Sequence, residues 1–232
     1  MNDFKDIWTR AATHCGGPQA LRASLPAVIE SQALTNKPDR EFLSAMSRCV
    51  FKAGFAWHVV DAMWPGFEQA FHAFEPSRLL TLDDAAWRTY RTDRRIVRNG
   101  PKIQSVRENA AMVSAIASDA GGFGRFLATW PSEDLAGLLG ELKQRGSRLG
   151  GATGAHFLKA VGKDCFALDR PVIAGLQQAG VDIAKPPTSA RELANIQTVF
   201  NQWHAESGLA YQHLSLVVAA STGATQAQTS AR

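Results

Sequence analysis

The chain has 232 residues, 45% of them hydrophobic, so it can bury one sizeable core or two lobes that share a cleft. Its 25 Lys and Arg against 21 Asp and Glu give a net charge of +4, which is compatible with a polyanionic partner without requiring one. The three cysteines form no Cys-x-x-Cys pair and indicate reduced thiols rather than a zinc module. The N-terminus lacks a signal-peptide core and the longest apolar run, 214–220, is too short for a bilayer. We therefore expect a soluble cytoplasmic protein.

Helical signals fill the first half of the chain. Short amphipathic helices are predicted over 3–13 and 18–32, and a dense apolar segment, 40–63, predicts a central buried helix stopped by Trp64-Pro65-Gly66. Short helices over 67–74, 76–80 and 87–91 follow, the last behind a Thr81-x-x-Asp84 capping pattern, and then a long helix over 102–118. No strand pattern interrupts them, so the predicted class is all-α.

The second half of the chain is also predicted to be helical, with a glycine-rich turn between two of its helices. Helices are predicted over 123–130, over a segment with leucines at helical spacing from Leu135 to Leu142, and over 156–161, 171–178 and 189–220. The last of these begins with a capping box at Ser189 and Glu192 and is broken at Gly208. The polar segment 221–232 predicts disorder. The expected organisation is an N-terminal helical cover, 1–35, a main unit, 36–220, and a disordered tail, 221–232.

The segment 142–159 predicts a helical hairpin that grips a phosphate. Glycine amides at the turn and the N-terminus of the following helix can point at a phosphate oxygen, and nearby cations add positive field. The alternative is an ordinary helix connection. The predicted DNA-binding residues are Lys143, Arg145, Arg148, Gly150, Gly151, Thr153 and Lys159.

Several short motifs occur in a fixed order along the chain. They are Gly54-Phe55-Ala56-Trp57, Arg95-Ile96-Val97-Arg98 with Lys102-Ile103-Gln104, Asn109-Ala110, and Leu142-Lys143-Gln144-Arg145-Gly146 with Gly151. Together they resemble the DNA-3-methyladenine glycosylase I family. The segment 162–172 resembles the wider helix-hairpin-helix DNA glycosylase superfamily, in which a hairpin is followed by a loop bearing an aspartate. The resemblance covers roughly residues 42–178.

The resemblance implies a two-lobed helix-hairpin-helix DNA glycosylase-like fold and base excision repair of alkylation damage. A nucleotide swung out of the DNA stack would enter a cleft, where its N-glycosidic bond is hydrolysed. Asp169 would stabilise the oxocarbenium-like sugar and orient the water. An alkylated purine such as 3-methyladenine would lie in a base pocket formed by Trp57, Phe55, Phe51 and Cys49. Thr153 stands where a lyase would carry a lysine, so the expected enzyme is monofunctional.

Two departures from the family pattern leave alternatives open. Cys49 stands where the family's pocket carries an acidic residue, and no set of ligands matches the family's zinc site, so we expect no metal and no cofactor. Asp169 could serve only as a helix cap, and Trp57 could be core. The expected partner is double-stranded DNA with a damaged base, bound by a monomer. The alternatives are a non-catalytic helix-hairpin-helix protein that binds damaged or distorted DNA and a helical protein-interaction domain.

Overall fold

The computed structural model describes residues 3–187 and 189–223, and within them it contains helices and no strand, which confirms the all-α class. Two short 3-10 helices, His72–Phe74 and Ser132–Asp134, accompany the α-helices. In chain order the α-helices are α1 Phe4–His14, α2 Pro18–Ser24, α3 Ser31–Thr35, α4 Asp39–Lys52, α5 Trp57–Ala70, α6 Pro76–Leu80, α7 Asp84–Thr89, α8 Gly100–Ala120, α9 Phe123–Thr129, α10 Leu135–Arg145, α11 Ala152–Val161, α12 Arg170–Gln178, α13 Ala190–Ser207 and α14 Tyr211–Ala220.

The chain divides into two compact units. We call the first the terminal unit; it comprises Met1–Val28, Ser132–Ala136 and Asp164–Arg232, as far as these residues are described. The second, the central unit, comprises Ile29–Pro131 and Gly137–Lys163. The segments predicted as an N-terminal cover, 1–35, are thus shared between the units, because α1 and α2 lie in the terminal unit and α3 in the central one.

The single buried helix predicted over 40–63 is wrong, because the chain forms two helices there. Ala53 is extended and Gly54 is left-handed, with a φ of 72°, so α4 ends at Lys52 and α5 begins at Trp57. The predicted stop at Pro65 is wrong as well, because α5 continues to Ala70. Trp64 stacks on Phe67 at 4.9 Å between ring centroids, and this packing offsets the helix-breaking tendency of the proline.

The longest helix, α8, organises the central unit. It packs against α4, α6 and α9, and α11 also packs against α4. Asn99 caps its N-terminus by accepting a hydrogen bond from the Lys102 amide, and left-handed Gly121 ends it. Ile103, Val106 and Ala110, which recur at helical spacing, are buried along it.

In the terminal unit α14 is the central helix, and α1 and α12 pack against it. Its first two amides, those of Tyr211 and Gln212, donate to the two carboxylate oxygens of Asp164 at 3.1 and 3.0 Å. The core is aromatic, with Phe166 stacked on Phe200 at 4.3 Å between ring centroids. The capping box predicted at the start of α13 is confirmed, and so is the break at Gly208, which is left-handed.

Several other boundaries differ from the prediction, and α11 begins at Ala152 rather than at residue 156. The segment 18–32 forms α2 only as far as Ser24, with α3 beginning at Ser31, and the helix predicted over 67–74 is the end of α5 followed by a 3-10 turn. Helix α7 begins at Asp84 rather than at residue 87, because Asp83 caps it by accepting from the Ala86 amide. Of the tail predicted to be disordered, residues 224–232 lie outside the described part of the chain.

Candidate functional site

The glycine-rich turn joins α10 to α11, as the sequence predicted, and it contains two left-handed residues. Arg148 has a φ of 60°, which is unusual for a residue with a side chain. Gly151 is the N-cap of α11 with φ 58° and ψ −139°, a conformation that belongs almost to glycine alone. Gly154 lies in the first turn of α11, where a Cβ atom would come 2.5 Å from the carbonyl oxygen of Leu149. The turn therefore depends on glycine both for its backbone angles and for its close packing.

Asn109 attaches this turn to α8. Its side chain is fully buried; Oδ1 accepts from the Ser147 amide at 2.7 Å, and Nδ2 donates to the Ser147 carbonyl at 3.1 Å. A second link is made by Arg148, whose Nε donates to the Pro101 carbonyl at 3.3 Å. The hairpin turn is therefore fixed to the long helix by hydrogen bonds that satisfy its backbone.

The predicted cations of the hairpin differ in their surroundings. Lys143, Arg145 and Arg148 are exposed at the end of α10 and in the turn. Arg145 pairs with Glu141 at 3.1 Å, whereas Arg148 contacts the Pro101 carbonyl. Lys159 is exposed in the last turn of α11, at the opposite end of that helix from the glycine turn. The structure therefore brings Lys143, Arg145 and Arg148 together at the turn and leaves Lys159 apart.

A cavity of about 320 Å³ opens between α4, the start of α8 and the hairpin turn. Two of the side chains that line it, those of Lys102 and Arg148, are cations. Thr153 lines it from the first turn of α11, where the backbone amides have no acceptor within the helix. None of its lining residues carries a carboxylate. The lining residues are Val50, Ala53, Lys102, Arg148, Gly150 and Thr153.

Lys102 is the most unusual of these residues, because its side chain is only 7% exposed. Its Nζ donates to the carbonyl oxygens of Phe51 at 3.0 Å and Ala53 at 2.6 Å, and lies 4.8 Å from the ring centroid of Phe55. Burial, and then the nearby charge of Arg148, hold the pKa of Lys102 below its usual value. Lys102 thus ties the end of α4 to the start of α8 and lines the cavity.

The four residues predicted to form the base pocket fall into two groups. Phe55 and Trp57 are 44% and 39% exposed, so the interpretation of Trp57 as core does not hold. Trp57 meets His156 of α11 edge to face at 5.6 Å between ring centroids, and the Lys52 ammonium lies 5.2 Å from its centroid. Phe51 is fully buried against Phe67, so it contributes its carbonyl rather than its ring to the site.

Cys49, the fourth predicted pocket residue, supplies no negative charge. Burial raises the pKa of its thiol to about 11, against the opposing charges of Lys52 and Arg48. The carboxylate next to these cations is Asp61, which pairs with Arg48 at 2.7 Å and Lys52 at 2.8 Å. The hydrogen bond from Lys52, and secondarily the one from Arg48, hold the pKa of Asp61 below its usual value.

Asp169, the predicted catalytic residue, belongs to the terminal unit. It is the N-cap of α12, and its Oδ1 accepts from the Val172 amide at 3.1 Å. Its side chain is half-buried. Asp169 therefore caps α12, as considered above, and this hydrogen bond occupies one of its two carboxylate oxygens.

Lys102 and Asn109 were not among the predicted site residues, although both stood in the motifs quoted above. Lys102 follows Gly100-Pro101 at the start of a helix whose neighbouring positions are apolar, and a cation is unfavourable at a helix N-terminus. Asn109 occupies a buried position seven residues later, on the same face of α8. The signal that could have identified both residues is their position as polar residues in the largely apolar stripe of α8.

Nowhere in 3–187 or 189–223 do three or more His, Cys, Asp and Glu side chains form a group that could hold a metal ion. None of the described helices is both long and apolar enough to cross a membrane.

Residues 33–137 match the methyladenine glycosylase family model, which confirms the resemblance to that family over this part of the chain. The match includes α4, α5 and α8 and ends before the hairpin turn and Asp169. No curated protein matches the chain.

Among solved structures, the chain is similar to a 3-methyladenine DNA glycosylase I from Staphylococcus aureus, with 21% identity, 66% of this chain and 85% of that chain covered, and a TM-score of 0.49. It is also similar to the Methanocaldococcus jannaschii 8-oxoguanine glycosylase/lyase in complex with DNA containing 8-oxoguanine. There the identity is 16%, the coverage is 94% of this chain and 89% of that chain, and the TM-score is 0.46.

Proposed function

We propose that this chain, whose residues 33–137 match the methyladenine glycosylase family, is a monofunctional DNA glycosylase that removes an alkylated purine in base excision repair. The observation that carries the proposal is this match together with the glycine hairpin that Asn109 fixes to the matched segment. The family makes 3-methyladenine the first lesion to test. The working partner is double-stranded DNA with a damaged base, bound by a monomer in the cytoplasm.

In the proposed mechanism, the hairpin binds a DNA phosphate beside the lesion without reading bases. The glycine turn lets the phosphate approach the backbone amides at the start of α11, and Lys143, Arg145 and Arg148 supply positive field. The lesion leaves the base stack and contacts the exposed rings of Phe55 and Trp57. Stacking on these rings would select a planar base, while affinity for undamaged DNA would come from the phosphates.

The chemical step is hydrolysis of the bond between C1′ and the purine. As the base departs, positive charge develops on the sugar, and a carboxylate stabilises it and orients the attacking water. We assign this role to Asp169, which the match does not include. Its second carboxylate oxygen could act while Oδ1 continues to accept from the Val172 amide.

The second candidate function is that of a protein that binds damaged or distorted DNA without cutting the glycosidic bond. It is favoured by the involvement of Asp169 in the cap of α12 and by the presence of Cys49, whose thiol is uncharged at neutral pH, in the predicted pocket. It shares the hairpin and the aromatic residues with the first proposal. The two candidates therefore differ in turnover and not in DNA affinity.

A panel of duplexes, each with one alkylated purine, tests the proposal when released bases are measured by chromatography. Trp57→Ala should lower excision by about tenfold, the loss expected from one base-stacking contact, with affinity for undamaged duplex nearly unchanged. Leu80→Ala is the control, because it removes a 44% exposed apolar side chain from α6. Binding of lesion duplexes without any released base would favour the second candidate. Equal excision by Trp57→Ala and the unmodified protein would exclude Trp57 from the pocket.

A further inference from the structure

The central unit has a second cavity, of about 430 Å³, at the start of α4 and beside the 3-10 turn that follows α5. Its volume is within the range of small-molecule sites, about 300–1,000 Å³. Arg40 is the second residue of α4, whereas Ala53, which lines the cavity beside the hairpin, follows the last residue of that helix. The two positions are therefore about 20 Å apart along α4, and the second cavity is separate from the proposed DNA-binding site. Its lining residues are Arg40, His72, Ala73, Glu75 and Arg78.

Two arginines give this cavity the chemistry of an anion site. Arg40 and Arg78 are both exposed, and among residues 3–187 and 189–223 neither guanidinium group lies within ion-pair distance of a carboxylate. Arg40 lies in the first turn of α4, where the helix dipole disfavours a cation. Guanidinium groups bind phosphate and carboxylate oxygens with paired hydrogen bonds. The three oxygens and the double charge of a phosphate monoester suit two such groups better than a single carboxylate does.

The backbone that lines the cavity is strained. His72, Ala73 and Phe74 have φ angles of 53°, 55° and 55°, and three consecutive left-handed residues with side chains are unfavourable for L-amino acids. Phe74 is fully buried and stacks on Trp64 at 5.3 Å between ring centroids, which fixes the turn, while His72 and Ala73 are exposed at the cavity. Strain that the surrounding packing maintains is concentrated at ligand sites, so the turn supports a binding role for this cavity.

Glu75 restricts the kind of anion that fits. Its side chain is half-buried at the cavity and accepts a hydrogen bond from the Ser77 hydroxyl at 3.3 Å, and in the described part of the chain it forms no ion pair with either arginine. A carboxylate repels a bare anion but accepts hydrogen bonds from hydroxyl groups. The lining therefore suits a ligand that carries a phosphate for the arginines and a hydroxyl group for Glu75.

We propose that this cavity binds a small phosphate monoester that carries hydroxyl groups, of the class of sugar phosphates. Arg40 and Arg78 bind the phosphate oxygens, and Glu75 accepts from a hydroxyl group of the sugar. His72, whose ring carries an N–H group in either neutral tautomer, donates to a phosphate oxygen. The inference goes beyond the proposed glycosylase function and does not depend on it, because none of these residues belongs to the proposed DNA or base site.

Isothermal titration calorimetry of the full chain tests the proposal with three probes: ribose 5-phosphate, inorganic phosphate and ribose. Ribose 5-phosphate should bind about tenfold more tightly than inorganic phosphate, because only it offers a sugar hydroxyl to Glu75, and ribose alone should not bind measurably. Arg40→Gln and Arg78→Gln should each weaken ribose 5-phosphate binding by about tenfold or more. Arg125→Gln is the matched control, because Arg125 is exposed on α9 and does not line the cavity. Absence of ribose 5-phosphate binding in the millimolar range, or an equal loss in Arg125→Gln, would overturn the inference.

Glu75→Gln tests the part of the proposal that concerns the hydroxyl group. Removing the charge should strengthen binding of inorganic phosphate and reduce the tenfold preference for ribose 5-phosphate, because repulsion of the bare anion is lost and the remaining acceptor is weaker. An unchanged preference would contradict the assignment of Glu75.

A phosphate of double-stranded DNA is the alternative occupant, and the same variants separate this case. If DNA binds here, the duplex displaces ribose 5-phosphate, and Arg40→Gln and Arg78→Gln each reduce the slope of log duplex affinity against log salt by about one. That result would overturn the assignment of a small ligand. Unchanged duplex affinity and slope in both variants, together with lost ribose 5-phosphate binding, would support it.

Discussion

Charges are placed in opposite ways at two helix ends of the terminal unit and at the start of α8 in the central unit. In the terminal unit, Asp164 and Asp169 cap α14 and α12, so negative charge lies at the positive end of each helix dipole. In the central unit, Lys102 lies in the first turn of α8, where a cation is unfavourable, and Arg148 has a left-handed backbone. The first pattern stabilises the fold locally. The second is locally costly and is concentrated at one cavity, as expected of a functional site.

The contrast also separates the two parts of the proposed mechanism. The central unit contains the hairpin, the cavity and the exposed rings, all of which would bind DNA and the base. The terminal unit contributes Asp169, which would act on the sugar. Variants of the hairpin should therefore alter DNA affinity, Trp57→Ala should alter excision through recognition of the base, and Asp169→Asn should alter the chemical step.

The largest effect is expected for Asp169→Asn. Loss of the charge should slow single-turnover excision by about 10²-fold or more, while affinity for lesion-containing DNA is retained. Asparagine is a good N-cap, so α12 should remain folded, which circular dichroism can verify. The loss should be smaller for a cationic purine, because it leaves more readily. Equal rates in the folded variant and the unmodified protein would reject Asp169 as the catalytic group.

The next effect concerns Gly151, whose φ of 58° and ψ of −139° suit glycine alone. Gly151→Val should strain the turn by about 1–3 kcal/mol and reduce DNA affinity more than removal of any single cation, because the side chain also obstructs the phosphate. Gly140→Ala is the control: a Cβ atom there meets nothing, and it should stabilise α10 by up to about 1 kcal/mol. Unchanged affinity in Gly151→Val would show that the turn does not bind a phosphate.

A smaller effect should distinguish the cations of the hairpin. Arg148→Ala should weaken binding to all duplexes alike and reduce the salt slope by about one, because the contact of its guanidinium is with the Pro101 carbonyl and leaves its charge in place. Arg145→Ala should do less, since Glu141 already neutralises part of its charge. Fluorescence anisotropy at several salt concentrations measures both slopes. If neither variant changed the affinity or the slope, the hairpin would not be the DNA-binding surface.

The smallest effect is on stability and concerns the backbone of Arg148. Because its φ is 60°, glycine fits this position better than alanine does, and Arg148→Gly should be more stable than Arg148→Ala by about 0.5–1 kcal/mol. Urea unfolding of the two variants gives the difference. If alanine were as stable as glycine, Arg148 would not store strain at the cavity, and the contrast between the units would lose one of its two supports.

The sequence by itself determined the features that local physics controls. Helical periodicity and the absence of strand patterns predicted the all-α class, and the capping box at Ser189 and the break at Gly208 were located correctly. The glycine-rich turn between α10 and α11 was also predictable, because few residues other than glycine adopt such angles. The ordered motifs were sufficient to indicate the family that residues 33–137 match.

Tertiary structure decided what depends on neighbours distant in sequence. Apolar density in 40–63 could not show that α4 ends at Lys52, because the same residues suit one long buried helix or two. Nor could it show that Phe51 is buried while Phe55, four residues later, is exposed. The place of Lys102 depends on the carbonyls of Phe51 and Ala53, about fifty residues away in the chain. Only the packing of α8 against α4 brings these groups together and creates a cationic cavity.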